Sequence, residues 1–89
     1  MKLLWCKACG DVFSLQRHVK WCSCKKTAGV YRDNVNAEYF GENAVPVGFH
    51  NRLFLNAVAQ QPEEGMGKNF EAFIIPKKCP TLKRVNVIS

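Results

Sequence analysis

The sequence predicts an α+β fold: an N-terminal zinc ribbon, built on a β-hairpin, that leads into a small antiparallel sheet packed by one helix. Four of the five cysteines form two closely spaced pairs near the N-terminus. Alternating apolar and polar residues follow, as in strands, and one later stretch changes to helical spacing. The 89 residues predict a single domain, whose small core favours a metal as additional support. We expect a zinc-ribbon head over residues 1–28, an α+β portion over 29–82 and a basic tail over 83–89.

The cysteine pairs predict a structural metal site. The first is Cys6-Lys-Ala-Cys9 followed by Gly10, and the second is Cys22-Ser-Cys24. Structural Zn²⁺ takes four ligands in a tetrahedron, so two tight turns must bring four thiolates together. Gly10 tolerates the positive φ that closes the first turn, and the chain between the pairs is long enough for a hairpin. The spacing therefore predicts one Zn²⁺ held by Cys6, Cys9, Cys22 and Cys24.

Other interpretations of the cysteines are weaker. His18 precedes Cys22 by four residues and could replace Cys24, whereas Cys79 has no partner nearby in sequence. A redox C-x-x-C motif requires a helix N-terminus to lower the pKa of its first thiol. Because Gly10 and an aspartate follow the first pair directly, the sequence favours a metal over thiol chemistry.

The next predicted element is a β-hairpin over residues 30–40, in GVYRDNVNAEYFGEN, with aromatic cross-strand pairs. AVPVGF is a short extended piece in which Pro46 favours an edge strand or a strand end. HNRLFLNAVAQQPEEG then predicts a helix that His50 or Asn51 caps and Pro62 ends.

Two more segments complete the predicted fold. FEAFIIP is apolar on both faces and predicts a central strand, and residues 84–88 could form a last edge strand or stay loose. A helix lying on the sheet would bury six side chains together: Phe54, Leu55, Val58, Phe70, Ala72 and Ile74.

The charges are distributed unevenly along the chain. Residues 1–32 carry seven basic and one acidic side chain, residues 33–75 two basic and six acidic, and residues 76–89 four basic and none acidic. No apolar run approaches the roughly 18 residues that span a bilayer, and the start lacks the apolar core of a signal peptide. We therefore expect a cytoplasmic protein without a membrane partner, in a reducing compartment where clustered cysteines favour metal over disulfides.

The segments WCKACGDVFS, WCSC, AEYFGENAVPVGF and FEAFIIPKKCPT resemble those of small bacteriophage-type proteins with a zinc-ribbon head. Those proteins carry C-x-x-C-G-D-x-F-S, then C-x-C, G-x-Y and a P-x-G-F stretch, and the resemblance covers residues 5–82. It implies a phage-encoded protein in the bacterial host cytoplasm and no particular chemistry. Lys25 departs from the glycine that often follows a C-x-C turn, so the second turn should close differently.

The first predicted function is a non-catalytic, zinc-stabilised binding protein that docks on a bacterial host protein and modulates or inhibits it. No motif for a nucleophile, a catalytic metal or a phosphate-binding loop is present, so an enzyme is the least favoured class. Docking requires exposed aromatic and arginine side chains, of which we expect at least half to be buried in so small a protein. The candidates are Phe13, Trp21, Tyr31, Phe40 and Arg52.

Two alternative functions use the basic residues. Nucleic acid could bind the basic head and tail, where cations are interleaved with aromatic residues. The head cations are Lys7, Arg17, Lys20, Lys25, Lys26 and Arg32. A small anionic nucleotide could instead bind at the N-terminus of the predicted helix, where backbone amides favour phosphate, through His50, Asn51 and Arg52.

Overall fold

Two four-stranded sheets and one helix make up the fold. The computed structural model describes residues 1–89. Its strands are β1 Lys2–Cys6, β2 Val12–Ser14, β3 Lys20–Trp21, β4 Ala28–Tyr31, β5 Ala37–Phe40, β6 Ala44–Phe49, β7 Ala72–Ile74 and β8 Leu82–Arg84, and its helix α1 spans Asn51–Ala59. Sheet A has the order β2-β1-β6-β7 and sheet B the order β3-β4-β5-β8. The α+β class and the single helix are confirmed, whereas the single small sheet is wrong.

The core lies between the inner faces of the two sheets. One buried cluster joins Leu4 and Phe13 of sheet A to Tyr39 and Leu82 of sheet B. A side chain at Gly29 of β4 would collide with Leu4 and a second leucine, so this glycine lets the sheets approach closely. The buried cluster also contains Cys6, Leu15, Cys22, Ala37 and Ile75.

The predicted head is interleaved with the rest of the chain. β1 and β2 form an antiparallel hairpin around the first cysteine pair, whereas the sequence predicts a hairpin between the two pairs, and β1 also pairs along its length with β6. β3 joins β4 in sheet B instead of returning to β2. The two cysteine pairs are therefore carried by different sheets. The division into head, α+β portion and tail stays a prediction.

The β4–β5 hairpin is confirmed. Its turn is closed by the Asp33 carboxylate, which accepts hydrogen bonds from two backbone amides at 2.7 and 2.8 Å. The register places Tyr31 opposite Ala37, so the predicted aromatic cross-strand pairs are wrong. The ring contact instead crosses β4, where Trp21 and Phe40 meet edge to face with centroids 5.9 Å apart.

Two positions in sheet A differ from expectation. Pro46 lies in β6, an interior strand, and β7 is an edge strand rather than a central one. The Ile75 amide donates to the Pro46 carbonyl at 3.0 Å. The backbone N–H and C=O of a strand residue point to the same neighbouring strand, so the N–H that proline lacks would face the end of β7. Pro46 therefore loses one of the two hydrogen bonds that it could form with Ile75. The last edge strand also lies earlier than predicted, at Leu82–Arg84.

Helix α1 begins as predicted but does not cover the sheet. His50 is its N-cap, and the imidazole Nδ1 accepts from the Leu53 amide at 3.4 Å. Phe54 packs against Phe49 and Phe70, with ring centroids 5.1 to 5.6 Å apart. Only Ala57 of α1 is buried. The predicted common burial of six side chains is therefore wrong, because α1 contacts the end of sheet A: Leu55, Val58, Phe70, Ala72 and Ile74 are exposed and Phe54 is half-buried.

Candidate metal centre

Four cysteine sulfurs meet at one end of the molecule. The Sγ atoms of Cys6, Cys9, Cys22 and Cys24 all lie within 4.8 Å of one another. Cys24 Sγ is 3.7 Å from Cys6 Sγ and 3.5 Å from Cys22 Sγ. Four sulfurs about 2.3 Å from a tetrahedral metal ion would be about 3.8 Å apart. The four predicted cysteines are thus brought together in a group that could hold a metal ion.

The first cysteine turn follows directly from β1. Cys6 is the last residue of the strand, and its carbonyl accepts from the Gly10 amide at 2.8 Å. The Cys6 amide donates to the Asp11 carbonyl at 2.9 Å. Gly10 has φ +75°, the left-handed conformation that the sequence predicts for it. This turn directs Cys6 and Cys9 towards the same point.

The second turn closes without a glycine. The Cys22 amide donates to the Thr27 carbonyl at 2.9 Å, and the Lys25 amide donates to the Cys22 carbonyl at 3.1 Å. Lys25 has φ +64° and is the only non-glycine residue with a positive φ. This conformation costs a non-glycine residue about 1 kcal/mol. The departure noted in the sequence is therefore accommodated by backbone strain at Lys25.

Asp11 connects the two turns. Its Oδ2 accepts from both the backbone amide and the hydroxyl of Ser23, each at 3.1 Å. Asp11 follows the first cysteine pair and Ser23 lies within the second, so this link holds the turns in register. The sequence analysis did not predict this link, although it shows an acceptor, Asp11, beside the first cysteine pair and a donor, Ser23, inside the second.

The thiols influence one another's ionisation. The Thr27 hydroxyl, with the amides of Cys9 and Ala8, lowers the pKa of Cys6 to about 6 against the opposing effect of burial. For Cys24 the Lys26 amide acts to lower the pKa, but burial and the neighbouring sulfurs prevail and raise the pKa to about 12. Closely packed sulfurs cannot all be anionic without a compensating charge. A divalent cation would supply that charge.

One hydrogen bond to a sulfur and one unpaired donor beside the cluster fit thiolate ligands. The Thr27 amide donates to Cys22 Sγ at 3.3 Å. Burial raises the pKa of Cys22, but this amide and neighbouring donors outweigh it, so the pKa is lowered. The Thr27 hydroxyl is buried and makes no hydrogen bond. A thiolate at Cys6 would give it an acceptor, so the surroundings of the sulfurs match a metal-bound state.

Neither alternative ligand joins the cluster. His18 is exposed and lies outside the group of four cysteines. Cys79 is half-buried, and its Sγ lies 3.5 Å from Thr81 Oγ1. The hydroxyl and amide of Thr81 lower the pKa of Cys79. The cluster therefore consists of the two N-terminal pairs.

The six predicted head cations do not form one surface. Those at the metal end, which we define as the cysteine cluster with residues 7, 25–26 and 41–43, are Lys7, Lys25 and Lys26. The others lie elsewhere: Arg17, Lys20 and Arg32. Arg17 donates to Asn34 at 3.2 Å and Arg32 pairs with Glu38 at 2.8 Å. The Lys20 amine lies 5.9 Å from the centre of the Phe13 ring.

Three predicted residues at the start of α1 are exposed, and two have structural contacts. His50 caps the helix, and Asn51 Oδ1 accepts from the N-terminal amine of Met1 at 2.7 Å. Arg52 forms no ion pair. The structure therefore provides no additional polar group that would mark this helix end as a nucleotide site.

The predicted docking side chains are less buried than expected. Phe13 is buried, Tyr31 and Phe40 are half-buried, and Trp21 and Arg52 are exposed. Only one of the five is therefore fully removed from the surface.

Comparisons with protein-family models, with curated proteins and with solved structures found no match. The single helix, α1, is neither long nor apolar enough to cross a membrane. The site is therefore interpreted from its own residues.

Proposed function

We propose that the chain is a non-catalytic, Zn²⁺-stabilised protein that docks on another protein through the outer face of sheet A. Thiolates favour Zn²⁺ among the common divalent ions, and four of them leave no coordination position for a reactive water. The metal then acts as a structural support that joins the two sheets. This assignment is supported by the sulfur spacing and by the buried donor at Thr27.

The identity of the metal is tested by native mass spectrometry of purified protein, before and after treatment with a chelator. We expect one zinc ion per chain, whose removal also abolishes the near-ultraviolet circular dichroism of the folded protein. Purified protein that is folded without any metal would contradict the proposal.

The outer face of sheet A is the observation that carries the docking function. Strand alternation directs one set of side chains away from the core, and these are apolar except for one serine: Leu3, Trp5, Val12, Ser14, Val45, Val47, Phe49, Ala72 and Ile74. Trp5 is 40%, Val12 55% and Ile74 65% exposed. No charged residue interrupts the face. Contiguous apolar surface of this kind, in which exposed side chains flank half-buried ones, is typical of protein interaction sites, and tryptophan often dominates their binding energy.

The outer face of sheet B differs. Ala28 and Val30 project to that side, yet they are at most 1% exposed. The Trp21–Phe40 ring pair lies beside them, and Arg32 Nη2 donates to the carbonyl of Ser89 at 3.0 Å, which fixes the C-terminal segment nearby. Sheet A therefore offers the uncovered apolar face.

The resemblance to bacteriophage-type proteins supports a bacterial host protein as the partner, met in the host cytoplasm and modulated or inhibited by docking. A folded surface that buries a partner's apolar side chains can block that partner without catalysis. The proposal thus combines a metal support with one docking face.

The docking face is tested by photo-crosslinking inside bacterial cells. A benzoylphenylalanine residue replaces Val12 on the face or, as a control, Val35 at the hairpin tip, which is 56% exposed. We expect the position-12 probe alone to give one discrete adduct, and Trp5→Ser to abolish it. No adduct at position 12, equal adducts at both positions, or an adduct only between two copies of this chain would each overturn docking on a host protein.

A further inference from the structure

Cations that are far apart in sequence line a single groove at the metal end. They are Lys7, Lys25, Lys26, Lys77 and Arg84. Lys25 and Lys26, which belong to the second cysteine turn, line a cleft of about 650 Å³. Lys7 and Lys77 line a second cleft of about 320 Å³. Arg84 and Glu42 line both clefts. The clefts therefore adjoin, and together they are called the basic groove.

The cations of the basic groove have no ion-pair partners. The one ion pair in the structure joins Arg32 to Glu38, away from the groove. Glu42 is the single carboxylate that lines it. Four metal-bound thiolates would contribute about −2 beneath the groove, which leaves groove and metal site positive together. An unpaired positive cleft is suited to an anionic ligand.

An aromatic ring and two amides accompany the cations. Phe40 lines the larger cleft together with Asn43 and Asn86. Phe40 also contacts Trp21, which is 38% exposed. Proteins that bind single-stranded nucleic acid combine a positive groove, which follows the phosphates, with aromatic side chains on which unpaired bases stack.

We propose that the basic groove binds single-stranded nucleic acid through its phosphates, with a base against Phe40. The basic groove adjoins the docking face of sheet A, because Val45 and Ile74 of that face also line the smaller cleft, but its cations lie outside the face and its binding does not require a docked protein. β8 brings basic residues from the two ends of the sequence together, because its parallel pairing with β5 carries Arg84 to the metal end. This placement joins head and tail charges that the sequence alone leaves apart.

Duplex nucleic acid fits the structure less well. Reading a major groove usually requires a helix or a two-stranded ribbon that enters it. The only helix, α1, lies away from the basic groove and carries one cation, Arg52. Bases within a duplex are also unavailable for stacking on Phe40. Single strands are therefore the preferred ligand.

The test is fluorescence anisotropy of metal-loaded, full-length protein with a labelled oligothymidylate of about 16 nucleotides. Contacts to five phosphates predict that the logarithm of affinity falls with the logarithm of salt with a slope of about −3.5, which is about a 100-fold loss between 50 and 200 mM salt. Affinity independent of salt would overturn the proposal.

Matched variants separate groove binding from net charge. Lys26→Gln with Arg84→Gln should reduce affinity about tenfold and the magnitude of the salt slope by about 1.4. Lys68→Gln with Lys83→Gln removes the same net charge outside the two clefts and should change affinity less than about threefold. Metal content and melting temperature confirm that each variant is folded. Equal losses of affinity in the two double variants would overturn the assignment of nucleic-acid binding to the basic groove.

The base contact has its own readout. Phe40→Leu should weaken binding about tenfold while leaving the salt slope unchanged, because stacking releases no counterions. A duplex of the same length that binds more tightly than the single strand would overturn the single-strand assignment. If thymidine monophosphate displaced the oligomer at a concentration similar to that of the oligomer itself, the groove would be a small-ligand site and the single-strand assignment would also be overturned. Benzoylphenylalanine at position 12 reports on the docking face in a separate experiment, so the two proposals fail independently.

Discussion

The metal end and the helix end of the molecule are stabilised in different ways. At the metal end, Cys6 and Cys22 are at most 1% exposed and belong to the core cluster. At the helix end, which comprises α1, Phe49 and residues 60–71, Ala57 is the one buried residue of the helix and residues 61–71 are exposed throughout. Three phenylalanine rings provide the aromatic packing there. The comparison teaches that resistance to local unfolding should be concentrated at the metal end.

Removing a metal ligand should have the largest effect. Cys22→Ser weakens the metal site and places a hydroxyl in the core, so we expect the chain to be unfolded at 25 °C. Metal binding in small sites contributes on the order of 10 kcal/mol, comparable with the whole stability of a small domain. Circular dichroism and tryptophan fluorescence provide the measurement. Cys79→Ser is the control and should melt within a few degrees of the parent; a folded Cys22→Ser protein would contradict the expectation.

A methyl group at Gly41 should have the next largest effect at the metal end. Gly41 has φ +121°, and a Cβ there would lie 3.2 Å from Thr27 Oγ1 and would collide with the Lys26 carbonyl. Gly41→Ala should therefore lower the free energy of unfolding by about 3 kcal/mol in urea titrations. Gly65→Ala is a matched control, since Gly65 has φ +87° but no atom near the added methyl. It should cost only about 1 kcal/mol. Equal effects would show that φ strain alone matters.

A smaller and local effect is expected at the helix end. Phe54→Ala removes one ring from the phenylalanine cluster and should cost about 2 kcal/mol, less than a fully buried phenylalanine. Hydrogen exchange should accelerate in α1 and remain unchanged in β4 and β5. Leu55→Ala, at a position 63% exposed, should leave both regions unchanged. Uniform acceleration over the whole chain would remove the distinction between the two ends.

The smallest effect concerns the hairpin turn and depends on pH. The side chain and amide of Asn36 lower the pKa of Asp33 from 3.8 to about 2. Because the folded pKa is the lower one, the ionised carboxylate stabilises the fold fully at pH values above 3.8, and this contribution is lost as pH falls through about 2. Asp33→Asn should flatten the acid side of a plot of melting temperature against pH. An unchanged acid slope would contradict this role.

Local sequence signals predicted the elements that depend on neighbouring residues. The cysteine spacing, Gly10 in the first turn and the His50 cap were all visible in a few adjacent residues. Sheet order was not, because it depends on pairings between distant segments. The sequence predicts an edge strand or a strand end for Pro46, which lies in an interior strand, and a central strand for Ile74, which lies exposed in an edge strand.

The same limit applied to the candidate site. The four cysteines could be grouped from spacing, but the Asp11–Ser23 link and the buried Thr27 hydroxyl depend on how two sheets meet. The exposed apolar face was hidden for a different reason. Periodicity shows that β1 has an apolar outer side, but it does not show that nothing packs against it.

The parallel pairing of β8 with β5 constrains the order in which a nascent chain can fold. The four clustered cysteines all lie within residues 6–24, so the ligands can capture an ion before the last strand has been synthesised. Leu82, which is 1% exposed in the core, is synthesised almost sixty residues later. Contacts of such sequence separation form slowly because a long loop must close first. A cysteine cluster that holds a metal would therefore serve as an early nucleus, and core closure waits for translation of the last strand.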